Sequence, residues 1–382
     1  MKKRYAILLL FFVLSTNLRA QTETWTVIDA GTDISTGIKE DGTLWSWGWD
    51  GYGQLGTNGG DVNVPTQVGT DNDWVSVSAG AYHSLALKQD GTLWSWGLNA
   101  DGELGDGSTT QRNIPGQVGS DNNWAYISAG FAASYAIKTD GTLWSWGWNG
   151  FGQLGQGNTQ ALTTPTQVGT ETDWAIVEIG GRHTLAMKTD GTIWGCGLNF
   201  SGQLGTGNTD SPQPSFILIG SESDWVEIAA GFGHSMGRKQ DSTLWTWGFN
   251  ANGQLGNGTT TQSTSPVQIG QGQSWTKIDA GATFIYAISA DSSLYGSGFN
   301  GVGQLGNGTT ANPEPTFQQL GSATDWVDIA GAAGLLFNNE IFGSHSIGLR
   351  ADRVAICAAG NNFSGQLGDG SNDSDSLWTC DR

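Results

Sequence analysis

Read by polarity alone, the chain alternates with a period of two and then repeats with a period near fifty. In WVSVSAG (74–80), HSLALK (83–88) and LWSWG (93–97), large apolar residues are separated by single small or polar ones. This is the pattern of half-buried strands, not of a helix. QDGT (89–92) stands between the second and third runs, and an Asp-Gly pair so placed predicts a two-residue hairpin turn whose central positions both take positive φ. A longer glycine-rich stretch leads to PGQVG (115–119), where Pro115 suits the start or the edge of a fourth strand. Beyond residue 20 no helical period appears.

The unit recurs. DGTLWSWG at 41–48 returns at 90–97 and 140–147, then decays to DGTIWGCG (190–197), DSTLWTWG (241–248) and DSSLYGSG (291–298). Each string is followed by a loop of the type GYGQLG (51–56), and the closing glycines are Gly56, Gly105, Gly155, Gly205, Gly256, Gly306 and Gly368. Their spacings are 49, 50, 50, 51, 50 and 62 residues. Each unit opens on a tryptophan, from Trp25 and Trp74 to Trp326. Seven units of four short strands imply a β-propeller, because a ring of blades covers sheet faces that one blade could not bury alone.

The unit AGAYHSLALKQDGTLWSWGLNADGELG (79–105) and its six relatives resemble the RCC1 repeat family, over residues from about 22 to 382. The resemblance implies an all-β, seven-bladed β-propeller of RCC1-like type with four antiparallel strands per blade, forming a single domain over 21–382. Each repeat either forms a whole blade or shares a closing blade between the two ends. In such a fold the tryptophans of the repeated string fill gaps between blades. Trp49 and Trp148 lie past the strand and are the ones expected to reach the surface.

Charge and targeting narrow the function. MKKRYAILLLFFVLSTNLRA has three cations before an apolar run and ends in Ala20, which predicts a cleavable signal peptide over residues 1–20. The expected location is therefore secreted or periplasmic, in a bacterium. Losing Lys2, Lys3, Arg4 and Arg19 takes the formal net charge from −19 to −23. Such an acidic surface repels phosphate backbones and argues against nucleic acid. It also suits a soluble monomer. No later run approaches the roughly 20 apolar residues of a membrane span.

Candidate chemistry is sparse. His83, His183, His234 and His345 occupy one repeat position on different blades, too far apart around a ring to share an ion, so neither metal nor cofactor is expected. The carboxylates of TDND (70–73), SDNN (120–123) and SESD (221–224) read as turn residues satisfying local backbone amides. Cys357 and Cys380 fall in the last repeat and could pair, whereas Cys196 reads as a small buried hydrophobe. GGRHT (180–184) is similar to a pentapeptide of the plant UV-B photoreceptor, but Gly181 stands where that protein carries tryptophan.

The repeats differ most in their loops. Tyr82, Phe131, Arg182, Phe232 and Phe284 vary in the connection between first and second strands. The last repeat inserts an apolar stretch at 332–343 that contains Leu335, Leu336, Phe337, Ile341 and Phe342. These residues form a candidate binding face, with Tyr82, Phe131, Arg182, Phe232, Phe284, Phe337, Ile341 and Phe342 as its contacts and no catalytic residue assigned. The reading that follows is a non-enzymatic binding protein whose partner is an extracellular protein or glycan. The alternative is a polysaccharide lyase or hydrolase, for which Arg182 and His183 are the one local acid-base pair. Nucleotide exchange or chromatin binding, which the family resemblance also suggests, is opposed by export and charge.

Overall fold

A computed structural model describes residues 24–332, 344–380 and the backbone of 335–337 and 340–342; the expected signal peptide lies outside the described residues. The described chain forms seven four-stranded sheets and one two-stranded hairpin. Blade 2 is representative, with strands Trp74–Ala79, His83–Lys88, Leu93–Gly97 and Arg112–Gln117. Every sheet is an antiparallel meander, from the first (Trp25–Ala30 to Val62–Gln67) to the last (Trp326–Gly331 to Asp375–Cys380), where the two-stranded hairpin intervenes between the first and second strands. Each repeat is therefore one whole blade.

First strands of all seven blades surround a central lumen of about 430 Å³. In each first strand a bulge follows the opening tryptophan, as between Trp74 and Ser76, and sets Trp74 opposite Lys88. The extra residue turns outward, leaving Val75 50% exposed, as expected where two residues oppose one.

The repeated string forms a hydrogen-bonded turn. The expected two-residue turn is corrected to a three-residue connection: Lys39 N donates to Thr43 O, Gly42 N donates to Lys39 O, and only Gly42 has positive φ. A left-handed glycine after the turn is the usual form for that loop length. The Asp41 carboxylate, rather than its backbone, organises the corner. Its Oδ1 accepts from Thr43 N (3.0 Å) and Thr43 Oγ1 (2.7 Å), and Thr43 Oγ1 accepts from Trp45 Nε1 (2.8 Å). The same set recurs at Asp90, Asp140, Asp190 and Asp241. A Cβ on Gly42 would lie 2.2 Å from the Asn72 carbonyl oxygen of the next blade, so glycine answers both demands of the site.

Acidic residues before the opening tryptophans do more than close turns. Lys88 pairs with Asp71 (2.6 Å) and Asp73 (3.1 Å), and its ammonium sits 4.8 Å from the Trp74 ring centre and 4.7 Å from that of Trp94. Lys138, Lys188 and Lys239 repeat the arrangement. A lysine held between two indoles and a carboxylate gains from cation–π attraction while its stem covers apolar surface.

The second tryptophan of the string lies between blades. Trp47, Trp96, Trp146 and Trp247 are all fully buried, and each indole N–H donates to a carbonyl of the preceding blade, as Trp96 Nε1 to Gln54 O at 2.8 Å. The closing glycine of the preceding loop presses on that ring: a Cβ on Gly56 would stand 2.8 Å from Trp96 Nε1. In blade 7 a disulfide joins Cys357 to Cys380, which face each other across the third and fourth strands. Cys196 is buried and free.

Candidate binding face and lumen

Connections from first to second strand, and from third to fourth, emerge at the same end of every blade. That shared end collects the residues on which the repeats disagree. Trp49, Tyr52 and Tyr82 form a three-ring cluster with centroid distances of 5.4–5.8 Å, and Tyr82 continues to Phe131 at 6.1 Å. Trp148 packs edge-on against Phe151 at 5.4 Å. The Arg182 guanidinium then lies 5.3 Å from the ring centres of both Phe151 and Phe232. These rings are half-buried, supported from below and open to the surface on one side. Phe200 and Phe363, in the loops after the third strands, are 63% and 77% exposed.

Local sequence explains how the rings reach this surface. Where the residue after the third strand is Trp49 or Trp148, the second residue beyond it is Gly51 or Gly150, and a Cβ there would enter the indole at 2.2 or 2.5 Å. Gly181 plays the same part for Phe232, whose ring a Cβ would meet at 2.3 Å. The loop residues do not occupy a single register. Tyr82 and Arg182 immediately precede the second strand, while Phe131 and Phe232 stand one residue earlier.

Phe284 does not belong to the face. It is the first residue of its second strand (Phe284–Ser289), is fully buried, and takes the place that histidine holds in blades 2, 4, 5 and 7. Without a histidine to fix the frame, its sequence position is easily misread by one residue. The loop residue of blade 6 is Thr283, which is also buried. The inserted stretch of blade 7 emerges at the same end as the aromatic rings, as a hairpin in which Leu335–Phe337 pairs with Glu340–Phe342. The side chains of Phe337, Ile341 and Phe342 lie outside the described residues.

The histidines are interior. His83, His183 and His345 bond through Nε2 to Ser134, Ser235 and Ser35 of the next blade, each at 2.8 Å. Burial lowers their pKa to about 4, 3 and 3. His183 thus points into the blade junction while Arg182 lies between two rings above it, so the two do not converge on one substrate. Among the described residues no group of three or more His, Cys, Asp or Glu is placed to hold a metal ion.

Sequence reasoning passed over the lumen. Its wall carries Asp29, Glu178, Glu227, Asp279 and Asp328, with Lys277 ion-paired to Asp328 at 2.5 Å. Burial raises Asp29 to about 6, Asp279 to about 7 and Glu178 to about 8. First strands are sheet edges, and their inward N–H groups need partners. Asp29 accepts from Ala79 N (2.7 Å), Ser78 from Ala129 N (3.0 Å), Ser128 from Ile179 N (3.2 Å) and Asp279 from Gly331 N (2.6 Å). In blades 1, 2, 3 and 6 one side chain thereby ties the next blade's edge to its own, and in blade 5 Glu227 does so by accepting from Ile278 N at 3.3 Å. The available signal was a polar residue four places after the opening tryptophan in blades 1, 2, 3, 4 and 6.

Among the described residues no helix is long and apolar enough to cross a membrane. No curated protein matches the sequence. Solved structures do match the fold. Yeast RCC1 (Prp20), in a structure with Kap60 bound, is 19% identical with a TM-score of 0.77, over 94% of this chain and 85% of that one. Prp20p from Saccharomyces cerevisiae, described with its binding to Gsp1p and histones, is 20% identical with a TM-score of 0.75, over 94% and 87%. Human WBSCR16 is 20% identical with a TM-score of 0.74, over 81% and 85%. Two models of the regulator of chromosome condensation (RCC1) repeat match five times each, one at 41–87, 90–137, 140–187, 190–237 and 241–288, the other at 25–54, 74–103, 124–153, 174–203 and 225–254. With most of its length covered in this way, the chain belongs to the RCC1 repeat family.

Proposed function

We propose that the protein is an exported binding protein that engages a protein or glycan partner with the loop face carrying Trp49, Tyr82, Phe131 and Arg182. The observation that carries this reading is a pair of half-buried aromatic clusters at one end of the ring, Trp49–Tyr52–Tyr82–Phe131 on blades 1 to 3 and Trp148–Phe151–Arg182–Phe232 on blades 3 to 5. An ordinary solvated loop has no use for so much apolar surface, and contiguous patches of this kind mark interaction sites. The repeats diverge at these positions, as an asymmetric partner requires, and their Trp, Tyr and Arg content is that of interface anchors. Export rests on the leader-like residues 1–20, and the net charge of −23 without them disfavours a nucleic-acid partner.

The test is affinity capture from envelope and medium fractions of the source organism. Wild type is compared with Tyr82→Ser and with Val354→Ser, the latter altering a 40% exposed residue at the opposite end. A partner retained by wild type and Val354→Ser but lost from Tyr82→Ser is the expected outcome. Equal recovery by all three overturns the assignment of this face.

A further inference from the structure

Arg182 is the odd member of the loop face. Its Nε is enclosed without a hydrogen-bond partner, and no described residue accepts from any of its nitrogens or pairs with its charge. The other cation at this end among the described residues, Arg112 at the start of the fourth strand of blade 2, already faces Asp106 at 3.7 Å. Asp50, beside Trp49 in the chain, accepts from the Leu55 and Gly60 amides of its own loop, and no described acidic residue is paired with Arg182. A guanidinium packed over both Phe151 and Phe232 is restrained before anything binds, with no described acceptor for its donors.

Resting on the binding reading above, we propose that Arg182 is the anchor for a carboxylate side chain, Asp or Glu, of a protein partner whose flanking apolar residues cover the rings around it. A planar fork of donors matches a carboxylate bidentately. Desolvation by two phenylalanines makes that pair more valuable than one on an open surface. A protein fits better than a uronate polymer for two reasons. Many like charges would approach a strongly acidic chain that, among the described residues at this end, offers one cation without an ionic partner. The rings also meet edge to face, at 70–85° within the Trp49–Tyr52–Tyr82 cluster, instead of lying as parallel plates on which sugar rings stack.

The experiment selects displayed short peptides on the immobilised full-length protein, then measures synthetic versions by fluorescence anisotropy against wild type, Arg182→Gln, Arg182→Lys and Tyr82→Ala. Thermal melts confirm that each variant is folded. Selected peptides are expected to share an acidic residue. Its change to the amide and Arg182→Gln should each weaken binding roughly 30-fold or more, with little further loss when combined, and Arg182→Lys should retain part of the affinity. If Tyr82→Ala abolishes binding while Arg182→Gln and the amide peptide do not matter, the carboxylate anchor is wrong and the face reading stands. If no peptide is selected, the protein anchor is wrong; if peptides bind and neither Tyr82→Ala nor Arg182→Gln changes binding, both readings fall. Arg182-dependent retention of oligogalacturonate overturns the choice of a protein partner.

Discussion

The junction between blades 4 and 5 and the junction between blades 5 and 6 solve the same packing problem with different chemistry. At the first, His183 bonds Ser235, Ser235 donates to Gln203 O at 2.7 Å, and Trp247 Nε1 donates to the same carbonyl at 2.9 Å. At the second, the serine is Ile285 and the tryptophan is Ser297. No described side chain donates to Gln254 O, and His234 and the Ser297 hydroxyl are buried without partners. Apolar contact remains: Ile285 joins Met236, Ile278 and Trp275 in one cluster, with Phe317 against it. Loss of the tryptophan alone does not explain the difference. Blades 4 and 7 carry Cys196 and Ala359 at that position, but there Tyr135 and Tyr286 of the preceding blades donate to Gln153 O and Gln304 O. Junction 5–6 has Met236 where those tyrosines stand, so it lost the bond without acquiring the substitute.

The contrast is broken most directly by truncating each aromatic position. Trp247→Ala should cost about 3–5 kcal/mol, from the cavity and the lost bond, whereas Ser297→Ala should stay within about 1 kcal/mol or stabilise, since it removes an unpaired buried hydroxyl. Urea unfolding midpoints compare the two. A smaller pair of effects sharpens the tyrosine argument. Tyr135→Phe removes one of three donors to Gln153 O, the others being the Thr184 hydroxyl and, weakly, the Cys196 thiol, and should cost about 1 kcal/mol. Met236→Tyr should gain a similar amount by supplying Gln254 O with a donor beside the small Ser297. A structure of that variant would show the new bond, and destabilisation would count against the account.

The smallest effect appears only in acid. Burial lowers the pKa of His234 from 6.5 to about 4. Above pH 6.5 the imidazole is neutral in both states and adds nothing to the pH dependence. Between about 6.5 and 4 the unfolded chain takes up a proton that the folded chain refuses, so stability falls with pH. His234→Leu should therefore match wild type near neutral pH and exceed it near pH 4.5 in thermal melts. His183→Leu, which also forfeits the bond to Ser235, should be less stable than wild type near neutral pH.

What the sequence made legible follows from what repetition records. Alternation in WVSVSAG and LWSWG places strands to within a residue, because both faces of a blade are packed and tolerate little variation. The Asp-Gly pair marked a turn but not its length, since the Asp41 side chain holds the corner through Thr43 instead of Asp41 adopting positive φ. The acids before each tryptophan read only as turn residues in the sequence because their partner lysines stand about seventeen positions away along the chain. Lumen acids were invisible for a similar reason: only ring closure decides which half of the first strand's alternation faces inward. Phe284 reads one residue out of frame because blade 6 lacks the histidine that marks the strand start in blades 2, 4, 5 and 7.

The Asp41 corner also bears on how this protein ages. Among aspartyl linkages Asp-Gly is the most prone to cyclise and isomerise in an unstructured chain, because the unhindered glycine nitrogen can attack the preceding side-chain carbonyl. Here Gly42 N is committed to Lys39 O and the Asp41 carboxylate is turned forward onto Thr43. The same restraint holds Asp90–Gly91, Asp140–Gly141 and Asp190–Gly191. The repeated motif that builds each of these hairpins thus protects its own weakest covalent link, and its chemical lifetime becomes a property of the fold.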